Sequence, residues 1–287
     1  MLRRLFLFFS FCLLSVSAQV VIPEDLQEGL VSFYPFSGNA NDMSDNGYHG
    51  VVNDAELTED RYGNTNSAYL FSESSIKIED LLINTQNNFS ISCWVNFNDL
   101  ESSNQTLLNS IPHIGFSISF NYDNSGQLGM FTGNPDEWLI LNDIGTNVDF
   151  QMNQWYHLLF IKNGNQYLMY IDGNLYNTAS LMWTPVYTGS SDDFNYGLRI
   201  GAIGSVGDMI TYSGGYENFS GKIDDVVVWN VALNEDQIGQ IVNIETPESE
   251  SECDTGDINC DGEINVEDAA LILQYIVGII DTLPSCE

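Results

Sequence analysis

The sequence predicts an all-β protein, a jelly-roll sandwich of two sheets, followed by a small C-terminal calcium loop–helix module. Apolar and polar residues alternate, as in half-buried strands, in residues 89–97, 114–120, 155–162 and 167–172. Asn163-Gly164 and Asp172-Gly173 interrupt this pattern, and both pairs favour hairpin turns because they tolerate positive φ. Residues 19–243 are enough for one such core. A short helix is predicted over 234–242, with Asn234 as its cap.

The first 18 residues have the features of a secretory signal. Arg3 and Arg4 precede an apolar run over 5–14, and Val16-Ser17-Ala18 offers a cleavage site before Gln19. The run is short for a bilayer span, and no other stretch approaches that length. We therefore predict a protein that is secreted, extracellular or associated with the cell surface, with no membrane insertion.

The net charge excludes several classes of partner. The chain has 40 acidic and 7 basic residues, for a formal charge of −33. Such a field repels nucleic acid and anionic lipid headgroups and attracts cations. We therefore predict no nucleic-acid partner.

Residues 257–268 carry the strongest motif. Oxygen-bearing side chains stand at loop positions 1, 3, 5, 9 and 12, and Gly262 stands at position 6. This is the spacing of an EF-hand type calcium loop, in which glycine permits the sharp turn. Calcium is therefore the predicted cofactor. The predicted ligands are Asp257, Asn259, Asp261, Glu263 (through its backbone carbonyl), Asn265 (directly or through water) and Asp268.

An apolar helix follows this loop, and loop and helix together resemble the calcium-binding repeat of dockerins, extracellular modules that attach one protein to another. One repeat is present over 253–287, after an acidic linker at 244–252. The resemblance implies calcium-dependent attachment to another extracellular protein or to a second copy. Where dockerins present polar or basic residues to the cohesin receptor, this chain has Val266, Glu267, Leu273 and Gln274.

Three cysteines surround the calcium loop. Cys253, Cys260 and Cys286 are an odd number, so that one stays free or pairs outside the chain. We favour a disulfide between Cys260 and Cys286, which would tie the loop to the end of its helix. Cys93 lies in an alternating strand pattern and is predicted to be a buried thiol.

Four further stretches follow one another in the larger part of the chain. Residues 29–50 begin Gly29-Leu-Val-Ser-Phe-Tyr-Pro-Phe, 89–95 fit F-x-I-x-x-W-V, 155–173 run from Trp-Tyr-His to Tyr-Ile-Asp-Gly, and 219–233 end Trp-Asn-Val-Ala-Leu. Their order and spacing resemble laminin-G-like domains of the concanavalin-A-like jelly-roll class. The resemblance implies binding of sugars, proteins or matrix, often with a structural calcium.

The same resemblance implies a second calcium site in the sandwich. The matching residues are Asp42 and Asp224, with Asn39 nearby. Asp224 shares strand parity with Val226 and Val228, so we expect it to point toward the core, where an unpaired carboxylate is costly. The alternative is that these acids cap turns through backbone hydrogen bonds.

Aromatic residues in loop-like segments are the candidate sugar-stacking platform, because a ring face matches the apolar face of a pyranose. These candidate ligand-binding residues are Trp138, Trp183, Tyr187, Tyr196, Tyr212 and Tyr216. The alternative for each is packing against its own loop.

Catalysis is not predicted. The paired carboxylates on one strand that laminarinase-type glycoside hydrolases carry are absent from the sequence, and the three histidines have no metal-ligand spacing.

We therefore predict a secreted, non-catalytic binding protein that recognises a glycan or surface ligand and attaches through its calcium-binding tail. The first alternative is a structural or adhesive protein that self-assembles in a surface layer or filament. The second is a divergent glycoside hydrolase.

Overall fold

The computed structural model describes residues 22–242, except 82, 84–86, 103, 111–115, 122–125, 135–136, 141–147, 181–196 and 203–216. It gives the backbone alone for 131–134, 137–140 and 217, and it also describes residues 269–271 and 273–274. Residues 22–243 form one compact unit. In the other unit, the described residues 269–271 and 273–274 are helical.

Strands dominate the first unit. In chain order they are β1 (Leu30–Tyr34), β2 (Gly50–Asn53), β3 (Glu56–Thr58), β4 (Ala68–Phe71), β5 (Ser75–Ile78), β6 (Phe89–Phe97), β7 (Gln105–Ser110), β8 (Phe116–Phe120), β9 (Leu128–Asn134), β10 (Glu137–Ile140), β11 (Trp155–Asn163), β12 (Gln166–Ile171), β13 (Asn174–Ser180), β14 (Leu198–Ile200), β15 (Glu217–Asn218) and β16 (Gly221–Trp229). A 3₁₀ turn (Glu24–Leu26) precedes them and helix α1 (Glu235–Val242) follows them.

The strands form two sheets. The first sheet has the order β13-β12-β11-β6-β16-β4-β3, and β1 also pairs with β16. The second sheet has the order β10-β9-β8-β7-β14-β5-β2, and β15 also pairs with β7. The predicted all-β sandwich of two sheets is confirmed, and its topology is consistent with a jelly roll.

One apolar cluster lies between the sheets. The first sheet contributes Ile91, Cys93 and Val95 of β6, and the second contributes Ile118 of β8 and Ile76 of β5. All of these are fully buried. Cys93 is the predicted buried thiol, and burial raises its pKa to about 12.

The hairpin turns follow the predicted local sequences. Asn163 pairs with Gln166 across a two-residue turn, and Gly164 in that turn has a φ of 59°. Ile171 pairs with Asn174 across a second turn, where Asp172 and Gly173 have φ values of 49° and 73°. These are the left-handed conformations that tight hairpins need.

Helix α1 and the 3₁₀ turn lie over the outer face of the first sheet. The amide of Leu233 donates to Ser90 Oγ of β6 over 3.0 Å, and the indole of Trp229 donates to the carbonyl of Leu26 over 2.8 Å. Asn234 and Gln237 form a reciprocal cap: each side-chain oxygen accepts the other's amide at 3.0 Å. The predicted helix and its cap are confirmed.

A bulge in β16 overturns the expected orientation of Asp224. Asp224 pairs with Trp94 and Val227 with Ser92, so that β16 has one residue more than β6 between these pairs. Asp225 supplies the bulge with a φ of 45°. Asp224 therefore shares the outer face with Trp94, while Val226 and Val228 stay in the core. The expectation from strand alternation was wrong because the extra residue of a bulge reverses which residues on its two sides share a face.

No helix among the described residues is long and apolar enough to cross a membrane.

Gly201 and Gly38 allow a test of close packing. Both have a φ of 81°, but a Cβ at Gly201 would overlap the Phe71 ring, whereas one at Gly38 would meet nothing within 4 Å. We expect Gly38→Ala to cost about 1–2 kcal/mol for its backbone alone. Gly201→Ala should cost about 1–3 kcal/mol more because it overpacks the core. Denaturant unfolding of both variants measures this difference, and equal losses would contradict the packing at Phe71.

Candidate functional site

A row of polar residues crosses the outer face of the second sheet. Lys77 of β5 pairs with Arg199 of β14, Arg199 pairs with Asn109 of β7, and Asn109 pairs with Ser117 of β8. Their neighbours along each strand, such as Ile78 and Ile118, point into the core. Directly opposed residues share a face, so these four side chains lie together on the outer face. We call this row the polar face.

Hydroxyl groups extend the polar face along β7 and β8. Thr106 pairs with Ser119, and their hydroxyl oxygens are 3.4 Å apart. Ser119 Oγ is 3.2 Å from Ser117 Oγ. These short side chains and Asn109 are buried, whereas Lys77 and Arg199 are partly exposed. The two cations are therefore the accessible part of the face.

The edge strand β10 brings one predicted residue to this face. Trp138 pairs with Gly133 of β9. Position 131 of the same strand pairs with Ser117, and positions 131 and 133 lie on the same face because they are two residues apart. By register, position 138 belongs to the face of Ser117. The other aromatic candidates, Trp183, Tyr187, Tyr196, Tyr212 and Tyr216, lie outside the described residues.

An acidic residue stands beside the cations of the polar face. Lys77 Nζ donates to Glu79 Oε1 over 2.8 Å. This hydrogen bond and the charge of Lys77, with a smaller contribution from Arg199, lower the pKa of Glu79. Position 79 follows β5, and its side chain is 64% exposed. The pair is therefore a surface ion pair of small energetic weight.

A buried ionic cluster occupies the opposite side of the sandwich, at the β16 bulge. Arg61, in the loop between β3 and β4, donates from Nη1 to Asp224 over 3.1 Å and to Asp225 over 2.7 Å. Its guanidinium lies 4.6 Å from the Trp94 ring centre and 4.5 Å from that of Tyr62. The three charged side chains are only 3–10% exposed. These contacts hold the β3–β4 loop against the outer face of the first sheet.

Two effects oppose each other in this cluster. Burial raises the pKa of Asp224 and of Asp225, and Arg61 works in the opposite direction on both carboxyls. Burial alone would lower the pKa of Arg61. The negative charges of Asp225 and Asp224 together have the larger effect, so the pKa of Arg61 is raised. The positive charge of the Arg61 guanidinium therefore offsets part of the cost of burying the two carboxyl groups away from water.

A serine–histidine pair lies next to this cluster. Ser92 Oγ and His157 Nε2 are 2.7 Å apart, and the His157 ring lies 5.2 Å from that of Trp94. Burial, assisted by Arg61, lowers the pKa of His157 to about 3, so the ring is neutral at physiological pH. Both residues are almost completely buried, and among the described residues His157 Nδ1 has no hydrogen-bond partner. Within that part of the chain the pair has no carboxylate to orient the histidine, as a catalytic triad requires.

The two acids predicted for a sandwich calcium have different partners. Asp42 accepts the amides of Phe33, Ser44 and Tyr48 at 2.9–3.0 Å, and Asn39 accepts that of Asn41. Asp224 binds Arg61 instead. Within the described ranges, no group of three or more His, Cys, Asp or Glu residues could hold a metal. Asp42 caps a turn through backbone hydrogen bonds, as the alternative expected. A calcium ion shared by Asp42 and Asp224 stays a prediction, and these contacts give it no support.

The C-terminal predictions cannot be placed. The calcium loop residues Asp257, Asn259, Asp261, Glu263, Asn265 and Asp268, and the cysteines Cys260 and Cys286, lie outside the described residues. Of the helix predicted after the loop, residues 269–271 and 273–274 are helical, and Leu273 is 62% exposed.

Sequence reasoning missed the Arg61 cluster and the polar face. The chain has only seven basic residues and 40 acidic ones, so each basic residue was a candidate partner for buried acids or ligands. The pairing of Lys77 with Arg199, however, follows from strand order, which no local pattern reveals.

Two stacked sheets, antiparallel except for the short β15–β7 pair, followed by helix α1, define a lectin-type β-sandwich. Residues 71–239 match the family Laminin_G_3, described as the concanavalin A-like lectin/glucanases superfamily, and the chain belongs to this family. The predicted laminin-G-like domain is thereby confirmed. No curated protein matches the sequence.

Solved structures share the fold at low sequence identity. Domain 4 of AbnA, a GH43 extracellular arabinanase from Geobacillus stearothermophilus in complex with arabinotriose, has a TM-score of 0.58 and 19% identity, covering 74% of this chain and 98% of that domain. The binding domain of botulinum neurotoxin DC in complex with SialylT has a TM-score of 0.55 and 15% identity, covering 76% and 52%. The same domain in complex with rat synaptotagmin II gives 0.53 and 17%, covering 76% and 52%. This chain thus spans about half the length of the toxin domains.

Removing Arg61 should expose the cost of the buried carboxylates. We expect Arg61→Met to lower the free energy of unfolding by about 3–5 kcal/mol at pH 7, because one partner of a buried pair is lost. The carboxyl pKa values then rise further above the unfolded value, so the folded state binds more protons than the unfolded chain, and stability falls as pH rises. The loss relative to wild type should therefore be smaller near pH 4 than at pH 7.

Lys222→Met is the matched control for this experiment. It removes a cation from β16, the strand that carries Asp224 and Asp225, and Lys222 makes no ion pair in the described part of the chain. Denaturant unfolding at both pH values measures all variants, and Asp225→Asn added to Arg61→Met should recover part of the loss. A pH-independent loss, or an equal loss in the control, would show that the cluster is not ionic as described.

Proposed function

We propose that this protein is a secreted, non-catalytic glycan-binding protein that binds its ligand on the polar face of the second sheet. The observation that carries the proposal is the accessible pair of hydrogen-bonding side chains, Lys77 and Arg199, on adjacent strands, with position 138 on the same face at the edge strand β10. Rigid strands keep such groups at fixed spacings, as selective recognition of several sugar hydroxyls requires.

The related folds support a glycan as the ligand class. The arabinanase domain was solved with arabinotriose and a toxin binding domain with SialylT. We transfer to this chain only the ligand class, because the identities are 19% and 15%. In this proposal Trp138 supplies the stacking platform, and the partly exposed Lys77 and Arg199 bind polar groups of the sugar.

The tail is proposed to be an attachment module. A module of this size cannot bury enough apolar surface to fold alone, and calcium would supply the missing free energy. The hard oxygen ligands of residues 257–268 suit calcium, and the apolar helix after the loop would meet a protein partner or a second copy. The Cys260–Cys286 disulfide would add stability where the chain is exported.

Self-assembly in a surface layer is the second candidate function. Strand β2 lies at the edge of the second sheet and exposes Val51 at 54% and Val52 at 37%. An exposed apolar edge strand is a template for pairing with another chain. Light scattering over a range of protein concentrations tests this candidate, because association without glycan binding would favour it.

Replacing Trp138 should weaken glycan binding. We expect Trp138→Ala to lower the affinity for a glycan identified on an array by about five- to thirtyfold, because a stacked ring contributes on the order of 1–2 kcal/mol. Tyr62→Ala is the matched control, since Tyr62 is an aromatic residue, 50% exposed, beside the opposite sheet. Isothermal titration of both variants gives the affinities. Equal effects would remove position 138 from the site, and a wild type that binds no glycan would overturn the proposed function.

Disabling the loop should remove one calcium per chain. We expect Asp257→Ala/Asp261→Ala to abolish calcium binding by the tail, because two charged ligands of a hard cation are lost. Asp254→Ala, just outside the loop, is the control and should bind as wild type does. Calorimetry measures the stoichiometry, and light scattering in calcium and in EDTA reports any calcium-dependent association. Calcium binding that survives the double change would contradict the assigned ligands.

A further inference from the structure

Trp155 lies on the outer face of the first sheet, on the side of the sandwich away from the polar face. Tyr156 and Leu158 of the same strand point into the core, so Trp155 points outward. The ring of Trp94 on this face contacts Arg61 and His157. Trp155 is partly exposed, and within the described ranges it makes no ring contact and no hydrogen bond. Its indole is therefore available for another partner.

The residue directly across from Trp155 lacks a hydrogen bond. Asn96 of β6 pairs with Trp155 and is 5% exposed. Among the residues that the structure describes, the buried Oδ1 atom of Asn96 has no donor. A buried acceptor without a donor lowers stability, and such atoms are rare in folded proteins. The position of Asn96 beside the available indole suggests that a ligand provides the missing donor.

A lysine without a partner stands on the other side of Asn96. Lys222 of β16 pairs with Asn96 and is partly exposed. In the part of the chain that is described, Lys222 makes no ion pair and no hydrogen bond, although the sequence has 40 acidic residues. Trp155, Asn96 and Lys222 thus form a row across three adjacent strands, which we call the tryptophan row. The row is about 10 Å long, because neighbouring strands lie about 4.8 Å apart.

We infer that the tryptophan row is a second carbohydrate-binding site, on the sheet opposite the polar face. A sugar ring supplies each of the three contacts that the row lacks. Its C–H face covers the indole of Trp155, one hydroxyl donates to Asn96 Oδ1, and another accepts from Lys222 Nζ. An apolar ligand would leave Asn96 without a donor, and a simple ion would leave the indole uncovered.

The side chain of Lys222 gives the ligand a way to reach Asn96. The Oδ1 atom is covered by its surroundings, so a neighbouring side chain has to move before a hydroxyl can contact it. Lys222 stands directly opposite, and no ion pair or hydrogen bond within the described residues fixes its flexible stem. Movement of this side chain opens the row and brings its ammonium group to the sugar.

A second site on the opposite sheet makes one chain bivalent. Both sheets belong to the same compact unit, and their outer faces point in opposite directions. One chain can then join two glycan chains, which raises the avidity for a surface that carries many of them. This consequence rests on the proposed glycan binding at the polar face, whereas the tryptophan row does not.

A glycan array with neutral and acidic glycans, followed by calorimetry of each glycan that binds, tests the inference on the full-length protein. We expect Trp155→Ala to lower the affinity for at least one of these glycans by about five- to thirtyfold, through loss of the stacked ring. Tyr62→Ala is the matched control, because Tyr62 is a 50% exposed aromatic residue beside the same sheet. It should leave every affinity unchanged.

Asn96→Leu separates a binding role of the row from a structural one. This change removes the unpaired amide and nearly keeps its shape, so the midpoint of denaturant unfolding should stay the same or rise. The affinity for the same glycan should fall roughly two- to tenfold with the lost hydrogen bond. Because this variant is expected to fold, it decides the question even if Trp155→Ala does not fold. Unchanged affinity in Asn96→Leu would overturn the inference.

The two sites can be told apart by their tryptophans. Glycan binding that Trp138→Ala weakens and Trp155→Ala does not would overturn this inference and leave the proposed function intact. Binding that only Trp155→Ala weakens would support the tryptophan row and remove the polar face. A wild-type protein that binds no glycan on the array would overturn both.

Discussion

The contact between Arg61 and the bulge of β16 is the constraint on which the first sheet depends. β16 lies at the centre of that sheet and pairs with β6, β4 and β1. Its extra residue, Asp225, takes the left-handed conformation and turns the neighbouring Asp224 onto the outer face. A central strand with two buried carboxylates would be costly without a counter-charge. Arg61 supplies that charge, and in doing so it fixes the β3–β4 loop over Trp94.

The outer faces of the two sheets differ in the contacts that their polar side chains make. On the first sheet, the 3₁₀ turn, helix α1 and the Arg61 loop provide partners for Trp229, Ser90 and Asp224. These three side chains therefore have partners within the chain and form structural contacts. On the second sheet, the partly exposed cations sit in register beside amide and hydroxyl groups. The accessible cations of the second sheet are the reason why we propose that sheet, and not the first, as the principal binding face.

Local patterns predicted the local structure well. The alternating stretch 89–97 has the bounds of β6, and its apolar residues line the core, although the other face of the strand is buried as well. The two glycine turns join β11 to β12 and β12 to β13. Asn234 caps α1 because its side chain satisfies a free amide, which is a local interaction. Predictions that required long-range information fared worse. The orientation of Asp224 depended on a bulge, and the polar face depended on the order of strands that are distant in sequence.

In a strongly acidic chain, the position of a cation carries more information than that of an acid. Acids are common and solvated, so an acidic cluster alone indicates little about function. Arg61 marks the place where buried carboxylates need compensation. Lys162, also buried, donates to the carbonyl of Gly164 at the end of its own hairpin. Lys77 and Arg199 differ from both, because they are partly exposed and face each other across two strands. Structural contacts explain the first two positions, and beside the opposed pair the exposed carboxylate of Glu79 supplies a negative charge.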